Sequence, residues 1–594
     1  MKLTPEKIAE LRAKAATMRA AKASLMEIGN YVHEQIAGKQ TTSLSESISV
    51  LCAPTQLYPT EHSECGINGT SNSDSEPTPV PINGSVIQYN EQQQQAISLA
   101  SEGKSFVLTG AAGTGKTTTT KGAIESIVRS NKHLPLSADG HKHLSGGSPG
   151  IVCCAYTRRA VQNIRKVMPA DIANNCITIH KLLEYSPIYY DVIDEETGDE
   201  RKTMRFEATR NQFNPLPDTI HTIIIDEASM VSLELFEELC LALPHNPVFI
   251  FIGDIQQLPP VFGSAILGYK LLSLPVVELT HVYRQALESP IIRLAHRILS
   301  GNPVPHEEYN DWYDHGKLKI HPWKKRLSAD VACATACKFL TSAIDTGIYD
   351  PDQDIVLCPF NKSFGTVELN NAIANYLGLK RQAVVYEIIC GFQKKYFAVG
   401  DRILYDKEDA VITAIKYNSV YGGAMPQAES PTLDRWGHQQ GKQHELREQT
   451  ADEIDAMLDS MISGGGDDAE GRKKSCSHEI TIRFVVTGEE KTVSTVGDVG
   501  SIDLGYALTV HKSQGSEWRR VFFLTHNSHA TMLQRELIYT ACTRAREELY
   551  WICEPDTLTK AILNQRIKGN TIEEKAQYFM GKIERGELQQ HLIM

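Results

Sequence analysis

The sequence lacks several features that would each have set a class. No apolar run approaches the roughly 20 residues needed to cross a bilayer, so no membrane partner is expected. No apolar N-terminal stretch leads into a small-residue cleavage site, an expectation against secretion and for a cytoplasmic or nucleoid-associated protein, or one of the host cytoplasm if the source is viral. No two of the 13 cysteines show the two-residue spacing of a zinc knuckle or redox pair. Cys153 and Cys154 are adjacent, and Cys333 and Cys337 lie one helical turn apart; both pairs read as small core residues in a reducing compartment. Positive charge is not in excess either: 60 Lys and Arg stand against 72 Asp and Glu, a net charge of -12. The bulk surface therefore does not favour nucleic acid, although a local basic groove would suffice.

What is present is enough chain for two to four domains, 594 residues at 41% hydrophobic and 22% charged. The most informative stretch is Gly110-Ala-Ala-Gly-Thr-Gly-Lys-Thr117. It follows an apolar strand pattern, Ser105 to Thr109, and precedes a helical one, Thr118 to Arg129. Strand, glycine-rich turn and helix form a phosphate cradle, with backbone N–H groups turned inward and the helix N-terminus adding positive potential. Gly110, Ala111, Gly113, Thr114, Gly115 and Thr118 would frame it, Lys116 would reach the β- and γ-phosphates, and Thr117 would offer a hydroxyl to Mg²⁺. The cofactors expected are ATP and Mg²⁺. Thr222-Ile-Ile-Ile-Asp-Glu227 is a buried strand ending in two carboxylates. Asp226 suits a metal, and Glu227 suits a base that deprotonates water. Gln257 closes a further strand-and-turn, Val248 to Pro260, and Arg284 follows the first core.

Elsewhere the pattern is coarser. Residues 1–38 open with Thr4-Pro5 and carry an apolar helical face, read as an accessory helix; 39–85 are rich in Ser, Thr, Pro, Asn and Gly and read as a flexible linker. Asn90 is a fitting N-cap for the helix that contains Gln93. Tyr189–Ile193 and Arg201–Phe206 flank a glycine-containing turn and predict a β-hairpin. Residues 427–478 form a polar interruption, with Gly464-Gly-Gly466, inside a run of short β segments.

Seven strings stand in one order: GAAGTGKT, TIHKLL, IIIDEAS, GDIQQLPPV, VYRQ, ALTVHKSQGSE and YTACTRAR. In this the stretch from Tyr89 to Ile552 resembles superfamily 1 helicases, and more closely their 1B, RecD/Dda-like branch. The resemblance implies an α/β fold of two RecA-like parallel-sheet domains, with an inserted β-hairpin, an inserted SH3-like β-barrel and a helical N-terminal extension. The implied boundaries are 86–285 for the first domain, with the hairpin at about 184–219; 286–398 and 500–555 for the second; 399–499 for the barrel; and 556–594 for C-terminal helices. It implies that Gln93 recognises adenine, that Glu517 touches the sugar region, that Gln257 couples the γ-phosphate to DNA, and that Arg284 and Arg544 are arginine fingers. Thr157, Arg158, His180, Lys181, Thr509, His511 and Lys512 fall on positions of strand contact. The activity implied is ATP-driven, Mg-dependent translocation on single-stranded DNA, 5′ to 3′, with separation of duplex. Partners implied are single-stranded DNA and its junctions with duplex, with replication or recombination proteins at the N-terminal helix; a monomer is expected. The alternatives are an RNA-acting motor, or an NTPase that remodels nucleoprotein without translocation. No nuclease motif is evident.

Overall fold

The computed structural model describes residues 80–82, 85–130, 135–138, 140–193, 200–260, 263–283, 288–304, 313–323, 326–390, 393–405, 408–418, 475–485, 487–554 and 556–587. The N-terminal helix, most of the linker and nearly all of the 427–478 insertion lie outside these residues, as does Arg284.

Apolar runs that are buried on both faces belong in parallel sheets covered by helices. Phe106–Gly110, Ile151–Ala155 and Thr222–Asp226 are such runs. They join a six-stranded sheet in the order Val276–Leu279, Phe106–Gly110, Val248–Gly253, Thr222–Asp226, Ile151–Ala155, Cys176–Thr178, with every neighbour parallel. Side chains alternate between two cores. Val107, Val152, Cys154, Ile223 and Ile225 face one, and Phe106, Leu108, Ile151, Cys153 and Ile224 face the other.

A second six-stranded sheet follows the same logic, in the order Tyr313–His315, Leu318–Pro322, Ala545–Cys553, Trp518–Thr525, Ile355–Cys358, Ala507–Thr509. Only its first pair is antiparallel. Ile355, Leu357, Phe523 and Trp551 fill one of its cores, and Val356, Phe522, Leu524 and Tyr550 the other.

Three further elements bear on the site. Ser186–Ile193 pairs with Glu200–Glu207 as an antiparallel hairpin, Ser186 opposite Glu207 and Ile193 opposite Glu200. A five-stranded antiparallel sheet runs from Arg402 to Leu504 in the order Glu490–Thr495, Ser475–Phe484, Glu408–Tyr417, Arg402–Tyr405, Asp503–Leu504. Its core also takes Ile388, Cys390 and Phe397 from the hairpin Val385–Ala398, which lies before residue 399. Finally, the C-terminal helix Ile572–Glu584 leaves the second lobe and packs on the first, with the Phe579 ring 4.9 Å from that of Tyr269.

Because the first sheet is parallel, the loops after its strands share one edge. That edge carries the phosphate loop, Thr157, the turn holding His180, Asp226-Glu227 and Asp254–Gln257.

Candidate nucleotide site and nucleic-acid cleft

The phosphate loop joins Phe106–Gly110 to the helix Lys116–Arg129, two residues earlier than the apolar pattern suggests. Gly113 and Gly115 hold φ of +83° and +87°, which glycine adopts without strain. At Gly115 a Cβ would also lie 2.9 Å from Gln93 Nε2, so the glutamine sits directly on the loop. Thr117 and Thr118 are exposed at the first turn of the helix. Lys116 Nζ donates to the carbonyls of Gly110 (2.6 Å) and Ala111 (3.1 Å), and Thr114 Oγ1 donates to Ala111 O.

Gln93 belongs to a reciprocal cap: its N–H donates to Asn90 Oδ1, and its Oε1 accepts from Asn90 N. The same Oε1 accepts from Tyr283 Oη at 2.7 Å. Gln93 is 1% exposed, yet its Nε2 has no hydrogen-bond partner among the described residues. A buried unsatisfied donor beside a phosphate loop fits an acceptor on a ligand, such as a purine ring nitrogen.

Asp226 ends its strand half-buried, and its Oδ1 accepts the N–H of Glu227. Burial, then the neighbouring Glu227 carboxylate, push the Asp226 carboxyl up to about 7, against the pull of that N–H and of Lys116. Glu227 itself stands at φ +50°, a left-handed conformation that costs a non-glycine residue roughly 1–3 kcal/mol and is retained where function needs it. Two adjacent carboxylates that feel the Lys116 charge, with an exposed Thr117 next to that lysine, are a donor set that a divalent cation satisfies. The residues present thus fit both ATP and Mg²⁺. Gln257 is buried, with its N–H on Asp254 O and its Oε1 lacking a partner among the described residues.

Arg544 is 4% exposed and spends its guanidinium inside its own lobe, on Thr540 O, Thr543 Oγ1 and Ser516 O. The residue that does reach across is Tyr539, on the helix Arg535–Cys542, every residue of which is buried. Its hydroxyl accepts the N–H of Ala112 in the phosphate loop and donates to Asp254. Neither Tyr539 nor Asp254 was singled out for a role by its sequence context. Glu517 is exposed and lines a small cleft of about 140 Å³ with Arg159, Asn163 and Lys166, apart from the phosphate loop.

Five of the seven expected strand-contact residues line two clefts elsewhere on the junction, while Arg158 and Lys181 line neither. A cleft of about 670 Å³ is lined by Thr157 and His180 from the first lobe and by His511 and Lys512 from the second. A second cleft of about 450 Å³ carries Thr509 and shares Lys512, Leu404 and Asp503 with the first. Thr157 caps its helix by accepting from Ala160 N. His180 lies edge-on to Tyr156 and Tyr185. Burial, with Arg566 adding, holds the His511 imidazole below its ordinary range, so it meets a ligand neutral at pH 7. The cations are already paired: Arg158 with Glu408 (3.1 Å) and Lys512 with Asp503 (3.3 Å), while Lys181 is exposed. A phosphodiester entering the cleft would compete with Asp503 for Lys512, since both residues line it.

Two family models match the chain, an AAA domain at residues 93–263 and a UvrD-like helicase C-terminal domain at 504–552. The ATP-dependent RecD2 DNA helicase of Deinococcus radiodurans is 26% identical over 484 residues, covering 81% of this chain and 51% of the relative. The RecBCD enzyme subunit RecD of Mycobacterium tuberculosis is 23% identical over 498 residues, covering 82% and 73%. The chain is thus similar, across both matched regions, to RecD- and Dda-type helicases. The ATP-dependent DNA helicase dda of Enterobacteria phage T4 is 29% identical over 203 residues, 33% of this chain and 37% of the relative. A Pif1 helicase structure from Candida albicans overlaps 84% of it and 100% of that chain, at 15% identity and a TM-score of 0.40. The chain spans about half the length of the Deinococcus relative.

Proposed function

We propose that this chain is an ATP-driven motor that travels on single-stranded DNA, 5′ to 3′, and separates duplex ahead of it. One observation carries the reading: the 670 Å³ cleft is built by both lobes and holds Thr157, His180, His511 and Lys512 together. The phosphate loop lies at the same junction, through Ala112 and Tyr539. A change in lobe separation at one site is therefore a change at the other, which is the geometric requirement for turning hydrolysis into movement. RecD2 and Dda, named above as DNA helicases, and RecD, a RecBCD enzyme subunit, support the DNA reading, and the direction rests on the family resemblance.

At the nucleotide, Gln93 offers its free Nε2 to the base. Lys116 exchanges two carbonyls for phosphate oxygens. Mg²⁺, held by Thr117 and Asp226, would neutralise charge on the phosphoryl oxygens. Glu227 takes the proton of the attacking water, and Gln257 has an acceptor to spare for orienting it. Arg284 and Arg544 are proposed as fingers; for Arg544 this means exchanging its present intralobe bonds for the γ-phosphate when the lobes close. At the strand, histidines, hydroxyls and a few lysines give mainly phosphate contacts, hence salt-sensitive and weakly sequence-selective binding. The hairpin Ser186–Glu207 is proposed as the pin that keeps separated strands apart.

The test combines three measurements. ATP turnover is compared with single-stranded DNA and RNA, and unwinding with 5′-tailed and 3′-tailed duplexes, in the wild type and in Lys116→Ala. DNA should stimulate turnover more than RNA, only the 5′-tailed duplex should open, and Lys116→Ala should lose on the order of 10²-fold or more in turnover. Stimulation by RNA alone favours the RNA-acting motor; turnover without any unwinding favours the remodeller.

A further inference from the structure

We propose that Tyr539 is a positioning residue that carries the state of the phosphate loop to the segment Asp254–Leu258 and from there to the strand cleft. This rests on the ATPase reading above, and it concerns a side chain of the second lobe acting inside the nucleotide site of the first.

A phenol has one proton and two lone pairs. Here the proton goes to Asp254 Oδ2 at 2.6 Å, and a lone pair takes the N–H of Ala112 at 3.0 Å. Tyr539 is fully buried and Asp254 is 1% exposed, so water cannot replace either bond. Asp254 hands the constraint on. Its Oδ1 accepts from Gln256 N, and its carbonyl accepts from Gln257 N. Leu258 then donates its N–H to Thr540 Oγ1, the next residue after Tyr539, and its carbonyl accepts from Gln514 Nε2 at 2.6 Å. Gln514 lines the 670 Å³ cleft. The Leu258 side chain, although supplied by the first lobe, is packed in the core of the second.

Hydrogen bonds, joined by the covalent backbone of Asp254–Leu258, thus connect a phosphate-loop amide through one hydroxyl to the wall of the cleft. The loop amide is the point of competition: a phosphate oxygen that draws the Ala112 N–H takes it from Tyr539. The hydroxyl is then held by Asp254 alone, and the helix that carries it is released from the loop. That helix runs directly into Arg544. Burial, and then the Asp254 carboxylate, hold the phenol far above its ordinary range, so it keeps its proton throughout.

The experiment uses the full chain with Tyr539→Phe, which keeps the ring and deletes the hydroxyl. The readout is the ratio of ATP turnover with and without saturating oligothymidylate, together with KM for ATP. The ratio should fall about tenfold, 1.4 kcal/mol of coupling, while KM changes less than about threefold. Asp254→Asn, which turns one acceptor into a donor, should lower the ratio similarly, and the double variant should fall little further. If Tyr539→Phe does not fold, as judged by melting, the Asp254→Asn ratio decides alone. An unaltered ratio, or losses that simply add, overturns the proposal. A wild type whose turnover ignores DNA removes the motor reading and this inference with it; a stimulated wild type with an unchanged Tyr539→Phe ratio removes this inference only.

Discussion

His529 shows how much a single buried ring fixes. It is 0% exposed, with Nε2 on the carbonyl of Phe364 at 2.8 Å and Nδ1 on the N–H of His526 at 3.2 Å. One nitrogen donates and the other accepts, so the neutral ring satisfies both and a second proton would face an N–H. Burial pushes the imidazole from 6.5 down to about 4, with His526 adding and the Phe364 carbonyl opposing. The unfolded chain takes up this proton below about 6.5 and the folded chain does not until about 4. Its stabilisation is therefore complete above 6.5 and is lost as pH falls towards 4. Between pH 7 and pH 5 the wild type should lose about 2 kcal/mol more than His529→Gln, read from urea midpoints at the two values; equal losses would contradict the assignment. Legibility differs sharply among residues at this scale. Asn90 and Gln93 are readable because a cap and its partner lie three positions apart. Tyr539 is not, because its partners Ala112 and Asp254 lie 427 and 285 positions away, and no local pattern encodes that meeting.

Elements were most legible where burial made the sequence monotonous. Strands such as Ile223–Ile225 and Val152–Cys154 declare themselves because parallel sheets hide both faces. The antiparallel layer is less plain: its half-exposed strands alternate, and its core borrows the hairpin Val385–Ala398. The helix Ile572–Glu584 is readable as a helix, but its docking is not. Phe579 lies against Gly268 so closely that a Cβ there would be 2.1 Å from the ring. Only glycine admits this approach, and the ring, 3% exposed, completes the core of the first lobe. The connection before the helix is bonded to the second lobe, with Arg566 N and Ile567 N on the Glu536 carboxylate and Arg535 on Asn570 Oδ1. The C-terminal segment is thus a strap between lobes. Phe579→Ala should cost about 3 kcal/mol and make this helix the first segment released by limited proteolysis. Cleavage elsewhere first would mean that the strap is held by something other than the ring.

At the scale of the whole molecule, three bodies meet at Arg159. It sits on the first lobe, in the helix Arg158–Val167. Its guanidinium donates to Ser516 Oγ at 3.0 Å, stacks over the Trp518 ring at 5.0 Å and pairs with the Asp409 carboxylate of the antiparallel sheet. The side chains of Arg159 and Asp409 are 13% and 16% exposed, so the pair is largely desolvated. Such a pair contributes modestly while intact, but removing one member strands the other and costs roughly 3–5 kcal/mol. Burial holds the guanidinium below its ordinary range, with Asp409 opposing and Arg402 adding. The loss in Arg159→Ala falls on the interface, since neither sheet depends on this residue for its own core. Calorimetry of the wild type should show one cooperative transition and that of Arg159→Ala two, one for each lobe. Arg159→Lys keeps the charge but loses the planar fork and the stacking, so it should lie between them. One undivided transition in Arg159→Ala would mean that the Tyr539 contact and the C-terminal strap hold the lobes together without it. The cleft, which needs both walls in place, would then owe its shape to those two connections.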